Sequence, residues 1–113
     1  MIESLKVLCV CQYGHSRSVA ACRAFHARGV PAVACGAGTA GSALGVVAEW
    51  ADRICLLDDA LIGAVPPAQR HKIVSLHVGP DRWVNPYNPE LREVIETLID
   101  ERMPFAPKRG NTA

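Results

Sequence analysis

Apolar positions along the chain fall into two patterns, short unbroken runs and longer stripes at helical spacing. The first run covers residues 5–10 and is interrupted only by Lys6. A run of that kind suits a strand covered on both faces of a parallel sheet. Residues from 16 or 17 to 28 then predict an alanine-rich helix that turns Cys22 and Phe25 toward the core and stops at Gly29, a good C-terminal cap. Shorter runs predict strands at 31–35, 53–57 and 72–78. Between the second and third, Ser42 is placed to cap a helix reaching about Ala51, with Leu44, Val47, Ala48 and Ala51 as its thin apolar face. A weak helical turn after Asp58-Asp59 is cut by Pro66-Pro67. Residues 79–87 read as irregular. The last helix is the best marked: Asn88 caps it, Pro89 takes its first position and Glu90 its first turn. Leu91, Val94, Ile95, Leu98 and Ile99 form its stripe, and Met103-Pro104 ends it.

Strands alternating with helices imply a single α/β domain built on a parallel sheet, with its active end at the strands' C-terminal edge. Cys11, the turn after Cys35, Asp58 and Asp81 all fall on that edge. The domain is expected over 1–103, and the Pro/Lys/Arg/Gly-rich residues 104–113 as a mobile tail. The length of 113 residues agrees with one modest core. A net charge of +1 with scattered Lys and Arg leaves no electrostatic footprint for nucleic acid. No apolar run approaches the ~20 residues of a membrane span, and the N-terminus lacks the features of a signal peptide. The expectation is a cytoplasmic protein that engages no membrane.

Five cysteines, an odd number with no C-x-x-C, argue against a disulfide framework. His15, His26, His71 and His77 do not pair with them at zinc-finger spacing, so neither metal nor cofactor is expected. Cys9, Cys35 and Cys55 read as small buried hydrophobes. Cys11 is different. It ends the first strand, and Gln12-Tyr13-Gly14-His15-Ser16-Arg17-Ser18 follow before and into a helix. A loop between strand and helix can curl its N–H groups inward to bind an anion on the positive end of the helix. In that setting a cysteine thiolate is stabilised as a nucleophile. Arg17 offers parallel donors to a tetrahedral oxyanion, Gly14 eases the curl, and the Ser18 hydroxyl can hydrogen-bond the sulfur. The parts describe hydrolysis of a phosphate ester. Gln12, Tyr13, Gly14, His15 and Ser16 would line the substrate's approach. Phosphate release also needs a proton donor. Asp81 is the first choice and Asp58 or Asp59 the reserve, although an Asp pair before a helical turn also suits a cap. Trp83 would either stack on an aromatic substrate or pack beneath the loop.

The segment 11–18 resembles the signature loop of protein tyrosine phosphatases. Its wording is similar to the dual-specificity branch, but its place after the first strand resembles the low-molecular-weight type. Cys35-Gly36-Ala37-Gly38-Thr39, Trp50-Ala51-Asp52-Arg53-Ile54 and Gly79-Pro80-Asp81 are similar to later segments of that family or of a short branch of it. The resemblance runs from Leu5 to Asp100. It implies a three-layer αβα fold with four parallel strands in the order 2-1-3-4, a phosphocysteine intermediate, and phosphotyrosine on a protein, or a small phosphate ester, as partner in the Cys11 loop. Three positions depart from the family pattern. Gly14 stands where the loop usually has asparagine. Ser16 replaces a second loop cysteine. Asn85 precedes Pro86-Tyr87, where the family's aspartate is common.

Rival readings are a phosphocysteine carrier of the sugar-transport type, arsenate reduction and a non-catalytic phosphate-binding module. Arg17 argues against the first, and the lack of cysteines after Cys55 against the second. The dinucleotide pattern Gly36-x-Gly38-x-x-Gly41 is set aside because its strand is short and it does not open the first strand–helix unit.

Overall fold

Val7, Leu8, Cys9 and Val10 have no exposed surface, because strand β1 (Val7–Cys11) runs through the middle of the sheet with layers on both sides. The computed structural model describes residues 5–13, 16–38, 41–79, 82–83 and 85–109. Within them β1 pairs with β2 (Ala32–Gly36) on one edge and β3 (Arg53–Leu56) on the other, and β4 (Ile73–Ser75) pairs with β3. All pairings are parallel and the order is β2-β1-β3-β4, the arrangement expected from the sequence. Helix α1 is Arg17–Ala27, α2 Gly41–Trp50 and α3 Pro89–Arg102.

Alternation along β1 sorts the core into two clusters. Val7, Cys9 and Cys11 join Phe25 of α1 and Leu91, Ile95 and Ile99 of α3. Leu8 and Val10 join Leu44 and Ala48 of α2 and Leu61 beyond β3. Three layers result. The α3 stripe is divided by depth: Leu91, Ile95 and Ile99 are fully buried, while Val94 and Leu98 lie partly buried at its margin. Asn88 caps this helix as expected, its side-chain oxygen accepting the Glu90 and Leu91 N–H groups at 2.8 and 3.3 Å.

Several boundaries differ from the expectation, each for a local reason. Helix α2 starts at Gly41, so Ser42 is already inside it. Pro66-Pro67 does not simply end a turn. One 3-10 turn covers Asp59–Ala64, and Pro67 opens a second, Pro67–Lys72, where a proline's missing N–H costs nothing. Lys72 is therefore not the start of β4. Its ammonium donates to the carbonyls of Ala48 and Glu49 at the C-terminal end of α2, at 2.9 and 3.1 Å. Cys9 and Cys55 are buried as expected, whereas Cys35 is only partly so.

Residues 104–109, expected as the start of a mobile tail, make defined contacts. The Arg28 guanidinium donates to the Pro107 carbonyl at 3.2 Å, and Arg109 reaches Glu93 at 2.9 Å and Asp100 at 3.2 Å. Arg28 is itself buried. It holds Glu96 at 2.6 Å and Asp100 at 3.0 Å, tying α1 to α3. No helix of the described residues is long and apolar enough to cross a membrane.

Removing one partner of a buried ion pair strands the other charge. We expect Arg28→Ala to destabilise the fold by about 3 kcal/mol in urea unfolding, and the paired substitution Arg28→Met with Glu96→Leu to recover most of that loss. An Arg28→Ala midpoint equal to that of the unsubstituted protein would contradict the assignment.

Candidate active site

The chain leaves the sheet at Cys11 and enters α1 at Arg17. The carbonyls of Cys11 and Gln12 accept the N–H of Ala37 at 2.8 and 3.2 Å, so the end of β2 holds the start of the loop. At the far side, the Ser16 carbonyl accepts the Ala20 N–H at 2.8 Å and closes the first turn of α1. Cys11 is therefore fixed at a helix N-terminus, where backbone N–H groups and the helix dipole favour negative charge. Its sulfur lies 3.1 Å from the hydroxyl oxygen of Ser18, which is fully buried. That hydroxyl can donate to a thiolate. Gln12 and Tyr13 are exposed and Ser16 is buried. Gly14 and His15 lie outside the described residues.

Arg17 is 2% exposed although it opens a helix. Its side chain crosses the C-terminal ends of the strands. Nη1 donates to the Gly79 carbonyl at 2.6 Å and lies 3.8 Å from a carboxylate oxygen of Asp58. A guanidinium held in this way is a fixed positive charge at the C-terminal edge of the sheet, the edge on which Cys11 ends β1. No residue pattern announces the Gly79 carbonyl, because a main-chain acceptor carries no side-chain signature.

Asp58, one of the reserve acids, is occupied. Its Oδ1 accepts the Ala60 N–H at 3.0 Å and caps the 3-10 turn, while Oδ2 faces Arg17. Asp59 accepts the Ser75 hydroxyl and lies 2.9 Å from Nδ1 of His77. Asp81, the first choice for the acid, lies outside the described residues. Trp83 is 5% exposed within the core cluster, and its indole N–H donates to Glu90 at 3.2 Å. That is the packing role of the two foreseen, and little of the ring is left for a substrate to stack on. Tyr87 is the exposed aromatic of this segment, with the Arg23 guanidinium 4.3 Å over its ring. Asn85, in the place of the family's aspartate, accepts the Tyr87 N–H at 2.9 Å and so builds a turn.

Three other cysteines are set apart by their surroundings. Burial, reinforced by contact with Cys55, pushes the Cys9 thiol well above its ordinary value, and burial raises Cys22 and Cys35. In each case the shift disfavours the thiolate. Among the described residues no group of three or more His, Cys, Asp or Glu is placed to hold a metal. A cavity of about 450 Å³ lies against α3, lined by Pro89, Arg92, Glu93, Glu96 and Arg109, and includes none of the Cys11 loop.

No family model matches the chain, and no curated protein sequence does. Among solved structures it is similar to Vibrio vulnificus Wzb in complex with benzylphosphonate, with a TM-score of 0.60 and 19% identity over 88% of this chain and 94% of that one. The likeness extends over nearly the whole of both chains and is one of fold: the three layers and the 2-1-3-4 sheet are of the low-molecular-weight tyrosine phosphatase type.

Proposed function

We propose that the protein is a cysteine-dependent phosphatase acting on phosphate monoesters, with phosphotyrosine on a protein as the substrate class. The observation that carries this reading is the contact between Cys11 and the Ser18 hydroxyl at the start of α1, where the preceding residue is the buried Arg17. The fold shared with a structure that holds benzylphosphonate supports it. In that compound a P–C bond stands where an aryl phosphate ester has P–O.

In the reaction the Cys11 thiolate attacks phosphorus in line with the leaving oxygen. The S–P bond forms as the P–O bond breaks, and Asp81 gives its proton to the departing alkoxide or phenoxide. Amides of the loop and Arg17 stabilise the charge spread over the three equatorial oxygens. The Ser18 hydroxyl then donates to the sulfur as it leaves as thiolate, when water attacks phosphorus and gives its proton to the Asp81 carboxylate. Gln12 to Ser16 are the loop residues assigned to substrate binding, of which Gln12 and Tyr13 are exposed and Ser16 is buried. A protein that only carried the phosphoryl group would have little use for a buried arginine poised to promote its hydrolysis.

Cys11→Ser is expected to abolish turnover of p-nitrophenyl phosphate while inorganic phosphate still binds. Unchanged turnover would refute the mechanism. Asp81→Asn is expected to lower the maximal rate by ~10²-fold or more, the low end for a lost general acid, and to flatten the fall in rate at high pH. The sign follows from the chemistry, because a general acid must carry its proton to act and activity is lost as pH rises through its titration. If Asp58→Asn produces that flattening and Asp81→Asn does not, the acid is Asp58.

A further inference from the structure

Beyond β4 the pairing with β3 is irregular. Leu76 donates its N–H to the Leu56 carbonyl at 2.8 Å, and a regular parallel ladder would next join Val78 to residue 58. Instead the Val78 N–H reaches the Leu57 carbonyl at 3.1 Å. Two residues of one segment are thus set against one of the other, a bulge-like irregularity just past the ends of β3 and β4. The extra residue is His77. Its φ of +53° makes it the non-glycine residue with positive φ among those described. Histidine tolerates that region better than most side chains, but the conformation still needs support from its surroundings. The support is visible: His77 Nδ1 lies 2.9 Å from a carboxylate oxygen of Asp59, and the other oxygen of Asp59 accepts the Ser75 hydroxyl. One carboxylate therefore grips the chain on either side of Leu76.

The bulge leads directly to the site. Two residues beyond His77, Gly79 has a φ of +96° and turns its carbonyl to Arg17 Nη1 at 2.6 Å. Asp58, the neighbour of Asp59, approaches the same nitrogen. The adjacent pair Asp58-Asp59 thus meets Arg17 with one member and the bulge with the other. His77 is a poor direct acid, since β4 lies two strand spacings from β1, roughly 10 Å.

We propose that His77 is a positioning residue for the phosphate site. Clamped by Asp59, it fixes the bulge that delivers the Gly79 carbonyl to Arg17, and so sets the angle of the guanidinium in the Cys11 loop. This rests on the phosphatase reading for its effect on turnover, but its effect on phosphate binding does not require turnover.

The test compares inorganic phosphate affinity, by calorimetry, and kcat/KM on p-nitrophenyl phosphate in the unsubstituted protein, His77→Gly, His77→Asn and Asp59→Asn. Glycine keeps the backbone conformation and deletes the clamp. Asparagine tolerates positive φ and carries an amide nitrogen the same number of bonds from Cα as histidine Nδ1. His77→Gly and Asp59→Asn are expected to weaken phosphate binding by roughly tenfold, about one charge-assisted hydrogen bond. Combining His77→Gly with Asp59→Asn should lose no more than His77→Gly alone, and His77→Asn should stay within ~3-fold of the parent. Phosphate affinity unchanged in His77→Gly, whatever its melting temperature, would overturn the proposal. Equal losses in His77→Gly and His77→Asn would overturn it as well. If the unsubstituted protein binds phosphate but turns nothing over, the phosphatase reading fails and the affinities alone decide the clamp. No phosphate binding at all would overturn both.

Discussion

A guanidinium with almost no exposed surface has to be compensated inside the protein, and the buried Arg17 imposes that requirement on three separate parts of the chain. It starts α1, yet its partners come from the end of β3, through Asp58, and from the segment after β4, through the Gly79 carbonyl. Burying a charge with incomplete compensation costs several kcal/mol. The start of α1 and the segments that follow β3 and β4 are therefore tied together by one side chain. Cys11 gains its setting from the same arrangement, because the residue that follows Arg17 is Ser18, whose hydroxyl meets the sulfur. Cys11, Ser18, Arg17 and the segments beyond β3 and β4 form one connected set of contacts.

The rest of the fold holds that set still. Alternate residues of β1 feed two cores, one under α1 and α3 and one under α2. Arg28 and Glu96 join α1 to α3 at the end away from the loop, and Arg109 extends the charged network along α3. Cys9 lies two residues before Cys11 on the same face, buried against Cys55 and kept as a thiol. The proposed nucleophile and a buried structural cysteine thus sit on one face of one strand with only Val10 between them.

Whether a feature is legible in the sequence depends on whether it is written in side-chain pattern or in backbone geometry. The apolar runs, the Asn88-Pro89-Glu90 helix start and the Leu91–Ile95–Ile99 spacing each name their element, because burial and capping select residue types directly. The sheet order follows from the family resemblance. The Cys11–Arg17 spacing points to a loop with the Arg17 side chain inside it. What the pattern conceals is the partner of Arg17, a carbonyl, and the bulge at His77, which interrupts a run that otherwise reads as a plain strand through 78. A polar histidine between Leu76 and Val78 is the mark it leaves. Ser42 reads as a cap because Gly41 is a poor helix former, yet the helix already includes Gly41. Pro66-Pro67 looks like a break because proline starts a 3-10 turn as readily as it ends a helix.

The central claim is that Cys11 takes the phosphoryl group and gives it up to water. Mixing the protein with an aryl phosphate, quenching within a turnover and mapping the adduct by mass spectrometry tests it most directly. The account predicts one phosphoryl group on the peptide containing Cys11, appearing before free phosphate and decaying at the rate of turnover. A phosphoryl group on any other residue, or one on Cys11 that persists without release of phosphate, would contradict it.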